Sequence, residues 1–187
     1  MGDSLGTEGE PRRQLQEDES IFPFMKPTLR ILDADSKDLL SAARDLFLDY
    51  ERSLPFDLDF QNFDEEVSHL PGEYSRPGGC ILVALGGDHA AGCVALRTIG
   101  DGICEMKRLY VRPEFRGLKL GRRLAERVIG EAKKIGYGRM RLDTVSGMIE
   151  AIALYRSFGF KEIPQYRVNP LPDAMFFELD LAAQAKS

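Results

Sequence analysis

The chain has 187 residues and a formal net charge of −5; 43% of its residues are hydrophobic and 29% are charged. This profile is typical of one globular domain in solution, and the acidic balance argues against general nucleic-acid binding. No apolar run approaches the roughly 20 residues that a bilayer span requires, and the N-terminus lacks a secretory signal. We expect a cytoplasmic monomer or homodimer with neither a membrane nor a nucleic-acid partner.

Residues 1–26 are rich in Gly, Glu, Asp, Ser and Pro and show no sustained periodicity, which predicts a disordered acidic tail before a single domain over residues 27–187. Cys80, Cys93 and Cys104 each lie in an apolar, strand-like context without a CxxC spacing, so we expect core residues and not a disulfide or zinc framework. His69 and His89 have no metal-ligand spacing either, and no metal site is expected.

The remaining segments alternate between strand and helix patterns in a mixed order. Ser36 is a suitable N-cap for the first helix, and Gly136 ends the third. Strands are predicted at 28–32, at two places in 80–99 joined around Gly86, and at 103–111, 139–145, 161–168 and 174–181; helices are predicted after Ser36, within 54–70, at 120–135 and at 148–159. This order predicts an α/β (α+β) fold with helices on both faces of one sheet.

The segment YVRPEFRGLKLGRRL, residues 110–124, places several cations around one strand-to-helix turn: Arg112, Arg116, Lys119, Arg122 and Arg123. The first amides of a helix have no intrahelical partner, and the helix dipole adds positive charge there, so such a turn suits a pyrophosphate. Gly117 and Gly121 permit close approach of the phosphate. Neither GxxxxGK[ST] nor GxGxxG is present, which disfavours a nucleoside triphosphate or a dinucleotide.

With LYRSFGF (154–160), the stretch EMKRLYVRPEFRGLKLGRRLAERVI (105–129) resembles the GNAT superfamily of acetyl-CoA-dependent N-acetyltransferases. Arg116 and Gly121 match the ends of that family's pyrophosphate loop, and Lys119 stands where a glycine is usual. The resemblance implies a mostly antiparallel sheet of about six or seven strands, with middle strands that splay to admit the cofactor. It implies acetyl-CoA as the co-substrate, contacted by Leu109, Tyr110, Val111, Arg116, Gly117, Leu118, Lys119, Leu120, Gly121, Arg122, Thr144 and Tyr155.

Two residues are candidates for the proton transfers of acetyl transfer. Glu105 lies in an apolar strand, where partial burial would raise its pKa and suit a general base; the alternative is a structural glutamate paired with Lys107 or Arg108. By resemblance, Tyr155 protonates the leaving thiolate; the alternative is a core aromatic residue on an amphipathic helix. The family often has an asparagine that contacts the coenzyme at the position of Met148. Thr144 or Ser146 is a candidate to supply that polar contact instead.

The acceptor is expected to be a small primary amine, either a polyamine or an amino-acid-like compound. Acids and aromatic residues in the segment 49–66, among them Phe56, Asp57 and Phe60, suit a cationic amine. Arg97 and Arg167 suit a carboxylate instead. Acetylation of protein N-termini or lysines is an alternative function, and a non-catalytic acyl-CoA sensor is another.

Overall fold

The computed structural model describes residues 28–58 and 62–182. The predicted disordered tail lies outside these ranges and stays a prediction. Within them, one sheet of seven strands has the order β1-β2-β3-β4-β5-β7-β6. Every neighbouring pair is antiparallel except β4 and β5, which are parallel. The strands are β1 (Leu29–Asp33), β2 (Cys80–Gly86), β3 (His89–Gly100), β4 (Ile103–Val111), β5 (Arg139–Val145), β6 (Lys161–Ile163) and β7 (Ala174–Asp180).

In the described ranges, four α-helices cover the two faces of this sheet: α1 (Lys37–Arg52), α2 (Phe63–Ser68), α3 (Leu120–Ile135) and α4 (Ile149–Ser157). The Ser36 hydroxyl caps α1 by accepting from the Leu39 amide at 3.3 Å, as the sequence predicts. The buried stripe of α1 includes Leu46 and Phe47 and packs in a core on one face. The stripe of α3 packs in a second core on the other face, where α4 also lies. The predicted arrangement of helices on both faces is confirmed.

The splay of the middle strands is also confirmed. β4 and β5 pair only through Ile103 with Arg139, Cys104 with Met140, and Glu105 with Arg141. Both strands continue past these pairs, to Val111 and Val145, without pairing with each other. A V-shaped opening therefore begins at Glu105 and widens toward the carboxyl ends of both strands.

The strand predicted over 161–168 is shorter than expected. β6 ends at Ile163 because Pro164 has no amide hydrogen to donate to a ladder. The following residues leave the edge of the sheet, and Tyr166 and Arg167 instead reach the side chain of Glu105. The segment that the strand prediction covered therefore contributes side chains to the middle of the sheet.

The three cysteines are buried and unpaired, as predicted for core residues. Among residues 28–58 and 62–182, no helix combines the length and the apolar character that a bilayer crossing needs. The cytoplasmic location stays a prediction.

Candidate active site

A groove of about 710 Å³ runs between the end of β4, the start of α3 and the start of α4. Most of the residues predicted to contact the coenzyme line it, since the topology brings all three segments to one edge of the opening. They are Leu109, Tyr110, Val111, Arg116, Gly117, Lys119, Leu120, Gly121, Arg122 and Tyr155. Leu118 instead packs against the core beneath α3, and Thr144 lines the adjoining cleft.

The start of α3 has the geometry of an anion site. Gly117 and Lys119 both have left-handed backbone, with φ of 78° and 57°, and no side chain caps the helix. The first intrahelical bond runs from the Arg123 amide to the Lys119 carbonyl. The amides of Leu120, Gly121 and Arg122 therefore precede the helical ladder and are directed to the groove end of the helix.

Lys119 has a backbone conformation that favours glycine. This explains why the pyrophosphate loop of the family that the sequence resembles usually has a glycine at this position. A side chain at this φ costs about 1–2 kcal/mol, and Gly is acceptable at an N-cap. We expect Lys119→Gly to raise the free energy of unfolding by up to about 1 kcal/mol in urea denaturation.

Lys119→Ala is the matched control, because it removes the same charge and keeps the Cβ. If the alanine variant is as stable as the glycine variant, the gain comes from charge, and the backbone argument is wrong.

The end of β4 presents backbone groups to the opening. A bulge occurs at Arg108, whose φ is 56°. Beyond it, the Arg112 amide donates to the Ala91 carbonyl of β3 at 3.0 Å. Because neighbouring residues of an antiparallel strand direct their backbone groups alternately to the two sides, Leu109 and Val111 direct theirs away from β3. These are the amides that can meet a cofactor lying along β4.

The bulge is anchored by a buried ion pair. Arg108 Nε donates to Glu66 Oε1 at 2.9 Å, and Arg108 Nη2 donates to Oε2 of the same carboxylate at 2.5 Å. The guanidinium also lies 5.1 Å from the ring centre of Phe63, which is buried. Glu66 and Phe63 therefore hold Arg108 in place, and neither of them lines the cleft between β4 and β5.

A cleft between the diverging strands joins the groove to the α1 side of the sheet. Its walls include Tyr50, Leu109, Met148 and Tyr155, and these four residues also line the groove. The groove and the cleft therefore adjoin each other at these residues. A molecule in the groove and a second one entering from the α1 side can meet inside the sheet.

Tyr155 stands at the junction of groove and cleft. Its side chain is buried against Phe160, and burial raises its pKa above the ordinary tyrosine value. Within the described ranges, no protein group is hydrogen-bonded to its hydroxyl. Thr144 also lines the cleft, and its buried hydroxyl has no described partner. Both hydroxyls are available to a ligand.

Glu105 lies at the closed end of the opening and is fully buried. Its carboxylate accepts from the Tyr166 hydroxyl at 2.6 Å and from Arg97 Nε at 2.8 Å. Burial alone would raise its pKa, but Lys107, Arg167 and Arg97 and the Tyr166 hydroxyl outweigh it, so the pKa of Glu105 is lowered. The expectation of a raised pKa is wrong, because it considered desolvation without the cations that the fold brings to this carboxylate.

The residues predicted to hold the acceptor have different positions. Phe56 lines the cleft, Asp57 is exposed on the surface, and Phe60 lies outside the described residues. Arg97 and Arg167 bind Glu105, and Arg167 also donates to Asp143 at 2.9 Å. Neither residue lines the cleft, because protein carboxylates already hold the guanidinium of Arg97 on β3 and that of Arg167 in the loop after β6.

Lys107 and Asp143 also line the cleft, although neither residue is predicted from the sequence to do so. Lys107 Nζ lies 3.6 Å from Asp143 Oδ1, and both side chains are almost completely buried. A period of two along β4 places Lys107 on the same face as Glu105, a signal that was present in the sequence. Asp143 lies on β5, so its closeness to Lys107 depends on how β4 and β5 lie side by side. The sequence around either residue does not predict this contact.

Comparison with known proteins decides the family. The family model described as the acetyltransferase (GNAT) family matches residues 39–160. The chain is 44% identical over 140 residues to an uncharacterised N-acetyltransferase of Schizosaccharomyces pombe, covering 73% of this chain and 85% of that protein. The chain belongs to the GNAT acetyltransferase family. This GNAT protein is therefore an acetyl-CoA-dependent N-acetyltransferase.

Solved structures agree with this GNAT fold. A GNAT acetyltransferase from Staphylococcus aureus matches with a TM-score of 0.68 and 21% identity, covering 82% of this chain and 99% of that one. An acetyltransferase from Salmonella typhimurium, solved with its cofactor acetyl-CoA, matches with a TM-score of 0.57 and 23% identity, covering 82% and 94%. At these identities the likeness shows the shared fold.

Proposed function

We propose that this enzyme transfers the acetyl group of acetyl-CoA to a small primary amine by direct attack within the sheet. The observation that carries the proposal is that the groove and the cleft adjoin each other, with Tyr155 at the border of both spaces. Acetyl-CoA in the groove would bring its thioester to this junction. The amine would enter the cleft from the α1 side.

Each protein group would have one task in the transfer. The amine nitrogen forms a bond to the thioester carbon, and the carbonyl oxygen becomes negative while it faces amides of the β4 end at Leu109 and Val111. As the carbon–sulfur bond breaks, the Tyr155 hydroxyl donates its proton to the thiolate. Glu105 lies behind the cleft and does not line it, so the proton lost by the amine passes to its carboxylate through water. Exchange with solvent restores both residues.

The small volume of the cleft, about 50 Å³, supports a small acceptor. Its α1 side is walled by Tyr50, Phe56 and Leu58, and Leu171 closes it from the last loop. Pro170 and Pro172 restrict the backbone of that loop. A narrow passage with stiff walls fits an amine that enters whole more readily than a segment of folded protein.

The test of this function is an assay of thiol release from acetyl-CoA with two sets of acceptors, free small amines and peptides. We expect turnover with small amines. Turnover only with peptide N-termini or peptide lysines contradicts the small acceptor, and tight acetyl-CoA binding without turnover on either set favours a sensor.

Tyr155→Phe tests the proton donor. We expect kcat to fall by about 10²-fold, as is usual for loss of general acid catalysis, while the dissociation constant for acetyl-CoA changes little, because the ring still packs against Phe160. Calorimetric titration and initial rates give the two values. Phe160→Leu is a packing control that retains the phenol, and a wild-type kcat in Tyr155→Phe would remove this residue from the mechanism.

A further inference from the structure

The acceptor side of the junction between groove and cleft presents a second phenol. Tyr50 lies in the last turn of α1, and its side chain lines both the cleft and the groove. Its ring packs edge-on against the ring of Tyr110, with 6.0 Å between the ring centres, and the Arg108 guanidinium also lies 6.0 Å from its ring centre. Residues of β4 therefore hold the ring of Tyr50 at the edge of the opening.

The hydroxyl of Tyr50 is available to a ligand. Within residues 28–58 and 62–182, no protein group forms a hydrogen bond with it. Partial burial raises the pKa of Tyr50, against the opposing effect of Arg108, so the phenol is neutral around pH 7 and can both donate and accept. A phenol inside a protein usually finds a hydrogen-bond partner, so an unpartnered one beside a cleft points to a bound molecule.

The other polar side chains on this side of the cleft already contact protein groups. The Arg108 guanidinium is bound to a carboxylate of α2, and Lys107 and Asp143 form an ion pair. Asn169 donates to Asp143 at 3.0 Å. Among these described residues, Tyr50 has the hydroxyl that an incoming amine can meet without breaking a protein contact.

Tyr50 and Tyr155 approach the junction from opposite faces of the sheet. Tyr50 packs with the core on the α1 face, and Tyr155 belongs to the core on the α3 face. Burial raises the pKa of Tyr155 and the nearby Tyr50 raises it further, as two neighbouring phenols would. Because the amine enters from the α1 side, Tyr50 lies on the side of the thioester that the amine approaches.

Glu105 lies on the same face of the sheet as Tyr50. Cys104 and Met106 belong to the core on the α3 face, so the period of two along β4 directs Glu105 to the α1 face. Its carboxylate does not line the cleft, and a proton from the amine must therefore travel to it. Tyr50 borders the cleft on that face, so its hydroxyl can be the first group that the proton meets.

We propose that Tyr50 is a further catalytic residue, whose hydroxyl binds the attacking amine and passes its proton on toward Glu105. This inference rests on the proposed function and adds the group that contacts the amine. The phenol oxygen accepts a hydrogen bond from the amine N–H and so orients the nitrogen toward the thioester carbon. As the carbon–nitrogen bond forms, the amine proton moves to the phenol oxygen, and the phenol proton moves to a water that leads to the Glu105 carboxylate. Tyr50 is neutral before and after the step, and one proton has passed from nitrogen to carboxylate.

Tyr50→Phe tests the assigned hydroxyl and keeps the ring against Tyr110. With 3-methylbutylamine, and with the small amine that gives the highest rate in the thiol-release assay, we expect kcat to fall by roughly 10- to 100-fold. The dissociation constant for acetyl-CoA, measured by calorimetry, should stay within about threefold of the wild type. A wild-type kcat overturns the inference. A loss confined to acetyl-CoA affinity also overturns it, because the hydroxyl would then serve the coenzyme.

Tyr137→Phe is the matched control. The Tyr137 hydroxyl donates to the Gly78 carbonyl at 2.6 Å, and neither residue lines the groove or the cleft. The same deletion should therefore leave kcat within about twofold of the wild type. An equal fall of kcat in both variants would show a general effect of losing a phenol hydroxyl, and it would overturn the assignment of Tyr50.

A double-mutant cycle separates a proton path from a packing effect. If the amine proton reaches Glu105 through Tyr50, adding Tyr50→Phe to Glu105→Gln should slow the enzyme by less than about threefold, because both changes break the same path. Tyr50→Phe and Tyr155→Phe should instead multiply their losses, because Tyr155 acts at the sulfur. Multiplied losses for Tyr50→Phe with Glu105→Gln would overturn the relay.

The single variant Tyr50→Phe decides the inference even if Glu105→Gln does not fold. Failure of the inference alone has one signature, which is acetylation of small amines by Tyr50→Phe at the wild-type rate. Acetylation of peptides with no turnover of any small amine would overturn the proposed function and this inference with it.

Discussion

Gly121→Glu is expected to weaken acetyl-CoA binding by at least about 10²-fold and to leave the protein folded. Gly121 lies in the first turn of α3 and faces the groove. A glutamate there places bulk and a negative charge where the pyrophosphate needs free amides and the positive end of the helix dipole. Isothermal titration calorimetry measures the affinity, and circular dichroism and thermal unfolding check the fold.

Gly121→Ala is the control for this variant. A Cβ at this position would meet only Val111 Cγ2, at 3.8 Å, which is an ordinary contact, and alanine favours a helix by about 1 kcal/mol over glycine. The alanine variant should therefore be at least as stable as the wild type. Wild-type affinity in the glutamate variant would show that the pyrophosphate does not bind at the start of α3.

Glu105→Gln is expected to lower turnover by about 10²–10⁴-fold if this carboxylate accepts the amine proton. Because its pKa is lowered, Glu105 is ionised throughout the neutral range. The acidic limb of the wild-type pH–rate profile should therefore lie below the ordinary glutamate pKa. The variant should lose that limb.

The same change also has a structural effect that must be measured separately. A neutral amide in place of the carboxylate would leave Arg97, Arg167 and Lys107 without their shared counter-charge, and since both guanidiniums are partly exposed we expect a loss of roughly 2–3 kcal/mol in unfolding free energy. The contribution of Glu105 to stability is present above its unfolded pKa and is lost as pH falls through its lowered folded pKa. This pH dependence should be absent in the variant.

Tyr166→Phe separates the two effects of Glu105. It removes the 2.6 Å hydrogen bond to the carboxylate and retains the charge. We expect its kcat to remain within about tenfold of the wild type. A Glu105→Gln enzyme that turns over as fast as Tyr166→Phe would leave Glu105 with a structural role only.

The sequence predicted those elements whose signals are local. β4 over 103–111 and α3 over 120–135 have the predicted bounds, because alternation and a 3.6-residue period are properties of neighbouring residues. Most residues of the groove could be predicted, because the end of β4, the loop after it and the start of α3 are contiguous in the sequence. The prediction for the edge strand β6 extends to residue 168, five residues too far, because the apolar pattern continues past Pro164.

The electrostatics of the site could not be predicted in the same way. The pKa of Glu105 depends on Arg97 and Arg167, which come from β3 and from the loop after β6. Lys107 meets Asp143 only because β4 and β5 lie side by side before they part. Such pairings depend on the fold as a whole. The sequence around Glu105 indicates that the carboxylate is buried, but it does not indicate which cations surround it.

The short β4–β5 pairing has a mechanical consequence. Strands β1–β4 and strands β5–β7 form two separate ladders, and the parallel pairs from Ile103 to Glu105 are the hydrogen-bonded seam between them. Because this seam lies at one end of the two strands, no described backbone pair links β4 to β5 at the other end. Because the groove has β4 and α3 on one side and α4, which follows β5, on the other, a coenzyme lying there would span the open end and bridge the two ladders where they do not bond to each other.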